Sequence, residues 1–204
     1  MTLHRRSIRL PNYDYSQAGA YFVTLCAHAR ECLFGEIVDD AMILNDYGKI
    51  VEEEWLKSAE IRKELELDAY VIMPNHLHGI VVINNDGGLT VGATGQSPLI
   101  PTVGASGRSP LATDVGAHGR APLRADQPIL HRKPRSLGSF IAGFKSATTK
   151  RLNLKRNTPS FAVWQRNYYE HIIRDEIDLN RIRAYIQHNP ARWAEDENNP
   201  ERIK

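Results

Sequence analysis

The chain is poor in cysteine. Cys26 and Cys32 are its only two in 204 residues, too few for a disulfide framework and without the partner cysteines of a zinc ribbon. Set six apart in an apolar stretch, they are expected to be buried free thiols. No apolar run approaches the roughly 18 residues of a membrane span. The opening MTLHRRSIRLPNYDYSQ is basic but has no apolar h-region, so a secretory signal is not expected. These absences point to a cytoplasmic protein with no membrane partner. Acidic residues are also missing, entirely, from Gln127 to Ser160.

With 42% hydrophobic and 25% charged residues, the composition is that of a globular chain with a real core. The net charge of +2 hides two opposed tracts. Glu31 to Asp68 is acidic and includes Glu52-Glu53-Glu54. The acid-free stretch carries Arg132, Lys133, Arg135, Lys145, Lys150, Arg151, Lys155 and Arg156, and a smaller basic group, Arg5, Arg6 and Arg9, lies near the N-terminus. Clustered positive charge among neutral polar residues suits a phosphate-backbone partner. A solvated basic face fits the charge pattern as well.

Residues 91–126 differ in kind from the rest. They read VGATGQSPLIPT, VGASGRSPLATD and VGAHGRAPLRAD, three copies of one twelve-residue unit rich in Gly and Pro. The unit has no helical or strand period and is shorter than solenoid repeats. It is expected to be a disordered loop inserted in one domain built from residues 1–90 and 127–204.

Elsewhere strands and helices alternate. Ala20 to Ala27 reads as a strand rich in β-branched and aromatic residues. Leu33 to Val38 and Ala41 to Leu44 form a hairpin around Asp39-Asp40. Asn45 or Asp46 caps a helix to about Leu65, with Ile50, Val51, Trp55 and Ala59 inward. Leu67 to Met73 is a strand broken by Pro74-Asn75, and His78 to Ile83 is the next. Ser136 caps a helix from Leu137 to about Leu154. Phe161 to Gln165 reads as a short strand. A last helix opens at Asp175 or Asp178, carries the stripe Leu179, Ile182 and Ile186, and stops at Pro190. The pattern predicts an α+β sandwich, a mostly antiparallel sheet with helices packed on it.

Two local patterns could carry chemistry. In extended chain, residues i and i+2 share a face, so His76 and His78 present two imidazoles side by side with Leu77 turned away. Such a pair can ligate a divalent cation or simply cap a strand end. In the last helix Tyr185 and Asn189 stand at i and i+4 on one face. They can address one ion or phosphate, or Tyr185 can be a core-edge tyrosine. Taken together, two histidines, an amide oxygen, a tyrosine and a basic surface fit metal-assisted phosphoryl transfer with a tyrosine nucleophile.

His76-Leu77-His78 resembles the HUH motif (His, hydrophobic, His) of single-tyrosine DNA-nicking enzymes. The run Trp164 to Arg174 (WQRNYYEHIIR), followed by Tyr185-Ile186-Gln187-His188-Asn189-Pro190, resembles the REP-associated tyrosine transposases, as do Arg5 to Leu10, Tyr13 to Tyr15 and Gly19 to Phe22. The resemblance implies a ferredoxin-like fold with the HUH pair on a central strand. It implies Tyr185 as nucleophile and His76, His78 and Asn189 as ligands of Mg²⁺ or Mn²⁺. Tyr168 and Tyr169 are rival nucleophiles without an Asn one turn away, and their motif reads as packing on the sheet. The implied substrate is single-stranded hairpin DNA flanked by GTAG, handled by a monomer or homodimer associated with the nucleoid. Arg5, Arg6 and Arg9 would contact the flank, and Lys145, Lys150 and Arg151 the rest of the strand. The alternatives are a catalytically idle hairpin-binding regulator and a hydrolase that uses water.

The repeat adds a hint of its own. Val115 to Leu123 can be encoded as GTA GGG GCG CAC GGC CGT GCG CCC CTA, followed by C. That string is its own reverse complement and begins with GTAG. Residues 91–126 therefore read either as translated palindromes related to the substrate or as ordinary low-complexity linker.

Overall fold

A computed structural model of the chain describes residues 13–84 and 133–202. Arg5, Arg6, Arg9 and the repeats at 91–126 lie outside the described residues. In chain order the elements are β1 (Gly19–Cys26), β2 (Gly35–Val38), β3 (Ala41–Leu44), α1 (Asp46–Ile61), β4 (Leu65–Met73), β5 (His76–Ile83), α2 (Leu137–Lys155), β6 (Tyr169–Ile173) and α3 (Glu176–His188).

β4, β5, β1 and β6 form one antiparallel sheet in that order. With α1 linking β1 to β4 and α2 linking β5 to β6, this is the βαββαβ arrangement of ferredoxin-like folds. β2 and β3 pair as a separate hairpin. Its two turn residues, Asp39 and Asp40, both have positive φ, as the hairpin-favouring type I′ turn requires. β5 is an interior strand, so both histidines sit centrally in the sheet.

Side-chain alternation gives the sheet two unlike faces. Tyr21, Val23, Leu25, Leu77, Val81 and Ile83 join Val51 and Trp55 of α1 and Phe140, Ile141 and Phe144 of α2 in the larger core. Phe22 and Ile80 face the other way and pack with Ile173 and with Ile182 and Ile186 of α3. A bulge between Leu67 and Tyr70 shifts the parity of β4, so Leu65, Leu67, Tyr70 and Ile72 all serve the larger core. Trp55 lies against Phe140 and Phe144 at 5.4 and 5.3 Å between ring centres. Gly79 makes that possible: a Cβ there would meet the Trp55 ring at 2.5 Å.

Local signals set the helix starts. Asn45 Oδ1 accepts from the Tyr47 and Gly48 amides, Ser136 and Ser139 form a capping box, and Asp175 Oδ1 accepts from the Asp178 amide. The two opposed charge tracts partly neutralise each other. Arg151 of α2 bridges Glu53 and Glu54 of α1 at 2.5 and 2.8 Å, and Lys155 pairs with Asp46 at 2.8 Å.

Several sequence expectations need correction. α1 ends at Ile61 rather than near Leu65, because Leu65 is drawn into the sheet opposite Ile83. β5 begins at His76, so Pro74-Asn75 is only the turn of a tight hairpin. Phe161 to Gln165 is not a strand: Trp164 makes a single bridge to Ala27 at the end of β1. The edge position beside β1 belongs to β6, which the polar Glu170 and His171 had hidden. After α3 the chain passes Pro190 into a 3-10 turn, Pro190–Glu195. Cys26 is half-buried and Cys32 exposed, since Cys32 falls in the loop before β2 rather than in a strand.

Candidate active site

His76 and His78 project from the α3 side of β5 and are almost wholly buried, at 0% and 2% exposure. Their Nε2 atoms converge to 2.9 Å. Each ring is held from behind. Asn75 donates its amide nitrogen to the carbonyls of Arg30 and Asn198, so its Oδ1 is left to accept from His76 Nδ1 at 2.9 Å. That fixes the tautomer: His76 Nε2 carries a lone pair. Thr24, the cross-strand partner of His78, meets His78 Nδ1 at 2.9 Å. A hydroxyl can donate or accept, so Thr24 serves either tautomer of His78. Phe22 stacks on the His78 ring at 5.4 Å, and Trp193 lies at 6.0 Å from His76.

Burial keeps both imidazoles neutral. It depresses the pKa of His76 to about 3, with the Arg30 charge adding to the effect. For His78 burial again dominates, with its neighbour His76 second and Asp196 opposing. Neutral imidazoles are the form that ligates a metal.

α3 brings Tyr185 over this pair, 107 positions further along the chain. Ile182 and Ile186 anchor the helix on the sheet, and Arg183 clamps Asp68 of β4 with two hydrogen bonds of 2.9 and 2.5 Å. The Tyr185 phenol oxygen lies 3.2 Å from His78 Nε2, although the ring is 44% exposed. Burial of the oxygen raises its pKa, Asp196 and Glu197 raise it further, and a hydrogen bond from Asn189 opposes them. Asn189 is itself buried, and its Oδ1 has no hydrogen-bond partner among the described residues. An orphaned carbonyl of this kind costs about 1–3 kcal/mol unless something satisfies it.

The sequence reading missed Asp196. It follows the 3-10 turn, is 8% exposed, and places a carboxylate oxygen 3.8 Å from His76 Nε2. His76, His78 and Asp196 have ligand atoms within 4.8 Å of one another. The segment is strapped down: Asn198 accepts from Asn75 and from the Cys26 thiol, and Arg30 donates to the Glu197 carbonyl. Two imidazoles and a carboxylate make a mixed nitrogen and oxygen set, which fits a divalent cation.

The other candidates lie elsewhere. Tyr168 packs partly buried against the larger core, with Lys145 over its ring. Tyr169 is 49% exposed, opposite Thr24 on the edge strand, and its ring touches Phe22 rather than either histidine. Lys145 is half-buried, donates to the carbonyls of Gln165 and Asn167 at 2.9 and 3.0 Å, and has its pKa lowered by burial to about 8. Arg151 is engaged by α1. Lys150 is exposed.

No family model matches the chain. A protein of Haemophilus influenzae described as "Uncharacterized protein" is 39% identical over 196 residues, spanning 95% of this chain and 92% of that one. The chain belongs to one family with it. Among solved structures, a REP-associated tyrosine transposase bound to a REP hairpin matches 94% of this chain and 74% of its own, with a TM-score of 0.50 and 18% identity. The chain has the REP-associated tyrosine transposase fold. A putative transposase from Deinococcus radiodurans matches 88% of this chain and 95% of its own, with a TM-score of 0.40 and 15% identity. In this transposase fold the two histidines occupy a central strand and Tyr185 the helix laid across it. No helix among the described residues is long and apolar enough to cross a membrane.

Proposed function

We propose that the chain is a metal-dependent endonuclease and strand transferase for single-stranded hairpin DNA, a transposase that works through a covalent phosphotyrosine. The observation that carries this reading is the approach of the Tyr185 phenol oxygen to 3.2 Å from the buried His76/His78 pair. His76, His78 and Asn189, joined by Asp196, would hold Mg²⁺ or Mn²⁺. When bound, the ion supplies a Lewis acid that polarises the scissile phosphodiester. The insertion at 91–126 would interrupt one catalytic domain formed by residues 1–90 and 127–204.

Tyr185 is the nucleophile in this reading. Its oxygen forms a bond to phosphorus as its proton leaves, the bond from phosphorus to the 3′ oxygen breaks, and that oxygen takes up a proton to become a free hydroxyl. The fragment downstream of the cut stays on Tyr185 through its 5′ phosphate until a second 3′ hydroxyl reverses the exchange. Asn189 orients the phenol, and Arg183 holds the helix that carries it. Arg5, Arg6 and Arg9 would grip the GTAG-bearing flank, and Lys150 of α2 the remaining backbone.

The test is purified protein with Mn²⁺ or Mg²⁺ and a labelled hairpin carrying GTAG at its 5′ side. A covalent adduct that survives denaturation and maps to Tyr185 is expected. Cleavage without an adduct would assign the attack to water. Tight binding with neither would make the chain a hairpin-binding regulator.

A further inference from the structure

The basic residues of α2 are not equivalent, and their differences locate a track for the substrate strand. Arg151 and Lys155 are paired to acids of α1, and Lys145 is engaged by carbonyls of the 165–167 segment. Lys150 is different. Its side chain, like that of Arg166, has no hydrogen-bond or ionic partner among the described residues. Both line an open groove of about 420 Å³ between α2 and residues 162–166. Ser146 and Thr149 add hydroxyls to the same wall, Trp164 and Val163 belong to the opposite one, and no carboxylate lines it. From Gln127 to Tyr169 the chain has no acidic residue at all.

The groove is also anchored to the sheet. Its 163–165 wall is tied to the end of β1: His28 donates to the Val163 carbonyl at 2.8 Å and Gln165 to the Cys26 carbonyl at 2.9 Å. Cys26 is the cross-strand partner of His76. The wall of the groove is thus fastened to the strand end that pairs with His76, with the groove on the α2 side of the sheet and the imidazoles on the α3 side.

We propose that this groove holds the single-stranded DNA backbone of the substrate beyond the GTAG-bearing flank, with successive phosphates on Lys150 and Arg166. Free cations, hydroxyl donors and an acid-free lining are what a phosphodiester strand needs. The proposal rests on the nucleic-acid reading above but not on the identity of the nucleophile.

The test measures binding of the full chain to a labelled oligothymidine as a function of salt, with an oligouridine of equal length alongside. In the Lys150→Gln/Arg166→Gln variant, loss of two phosphate contacts should lower the slope of log affinity against log salt by about 1.4, at about 0.7 per contact for single strands. Both side chains are exposed, so the melting temperature should not move. Lys155→Gln, which removes a cation already paired to Asp46, should leave the slope as it was. A double variant with the parent slope overturns the proposal, as does a parent that fails to bind oligothymidine. Tighter binding of oligouridine would assign the groove to RNA and overturn the DNA assignment. An adduct that maps away from Tyr185 would overturn the chemical reading while a changed slope still supports the groove.

Discussion

Asn75 accepts a hydrogen bond from Nδ1 of the adjacent His76, with 2.9 Å between the atoms, and its own amide nitrogen is spent on two backbone carbonyls. The residue therefore cannot flip, and it pins the lone pair of His76 toward His78. Outer partners of this kind are typically worth 10–100-fold in metal affinity. Asn75→Ala should weaken Mn²⁺ binding by about that factor in calorimetric titration. Asp196→Asn, which keeps the volume but removes the charge, should weaken it about tenfold. Undiminished Mn²⁺ affinity in Asp196→Asn would remove that residue from the ligand set.

The nucleophile assignment separates three tyrosines. Tyr185→Phe removes only the attacking oxygen, so it should abolish the adduct, a loss of about a thousandfold or more, while hairpin affinity stays near the parent value. Tyr169→Phe and Tyr168→Phe should still form the adduct. The measurement is a denaturing gel of protein and labelled hairpin; an adduct in Tyr185→Phe that disappears in Tyr169→Phe would move the nucleophile to the edge strand.

Much of this arrangement was legible in short-range spacing. The i, i+2 period of a strand set His76 beside His78, and the i, i+4 period of a helix set Tyr185 beside Asn189. What no local period could show is that α3 crosses β5, since that depends on Ile182 and Ile186 finding Phe22 and Ile80. Asp196 was illegible for a related reason. It lies on irregular chain whose path is set by Asn75 and Arg30 gripping residues 197 and 198. β6 was missed because an edge strand buries little and tolerates Glu170 and His171. The opposed charge tracts were visible, but not that α1 and α2 would pack together and spend Arg151 on Glu53 and Glu54.

The buried imidazoles should make the metal-free protein acid-sensitive. An unfolded histidine titrates near 6.5, whereas burial lowers folded His76 to about 3 and pulls His78 the same way. Between those values the unfolded chain binds more protons than the folded one, so stability falls as pH falls. The slope approaches about 1.4 kcal/mol per pH unit for each such histidine. Stability from these groups is thus intact above pH 6.5 and lost progressively below it. Urea unfolding from pH 7.5 to 5 should show the decline, and His76→Gln should reduce it.

Gly79 tests the packing of the opposite face. Its hydrogen points at Trp55, and a methyl group would come within 2.5 Å of the indole. Trp55 is fully buried between Phe140 and Phe144 and has nowhere to retreat. Gly79→Ala should cost about 1–3 kcal/mol in urea unfolding, as overpacked cores do. A neutral effect would show that the α1–α2 layer is looser than it looks.

The three repeats differ where a palindrome must compensate. Position four of the unit is Thr94, Ser106 or His118, and positions six and seven are Gln96-Ser97, Arg108-Ser109 or Arg120-Ala121. Spelling Thr94 ACT, Ser106 AGC and His118 CAC gives reverse complements AGT, GCT and GTG. Placed after a shared C, these supply CAG, CGC and CGT with the next T, T and G, which encode those same Gln, Arg and Arg residues and begin Ser, Ser and Ala codons. Each protein change in one arm is thus matched in the other, and only the outermost base pair of the first two copies is lost, to Ile100 and Ala112. An ordinary linker under selection for flexibility has no reason to vary in matched pairs. The nucleotide sequence should therefore show ACT with CAG, AGC with CGC and CAC with CGT, so that each copy can fold as a single-stranded hairpin. Codons that break the pairing in all three copies would leave the repeats as plain linker; matching codons would place a hairpin of the proposed substrate class inside the gene of the enzyme proposed to cut it.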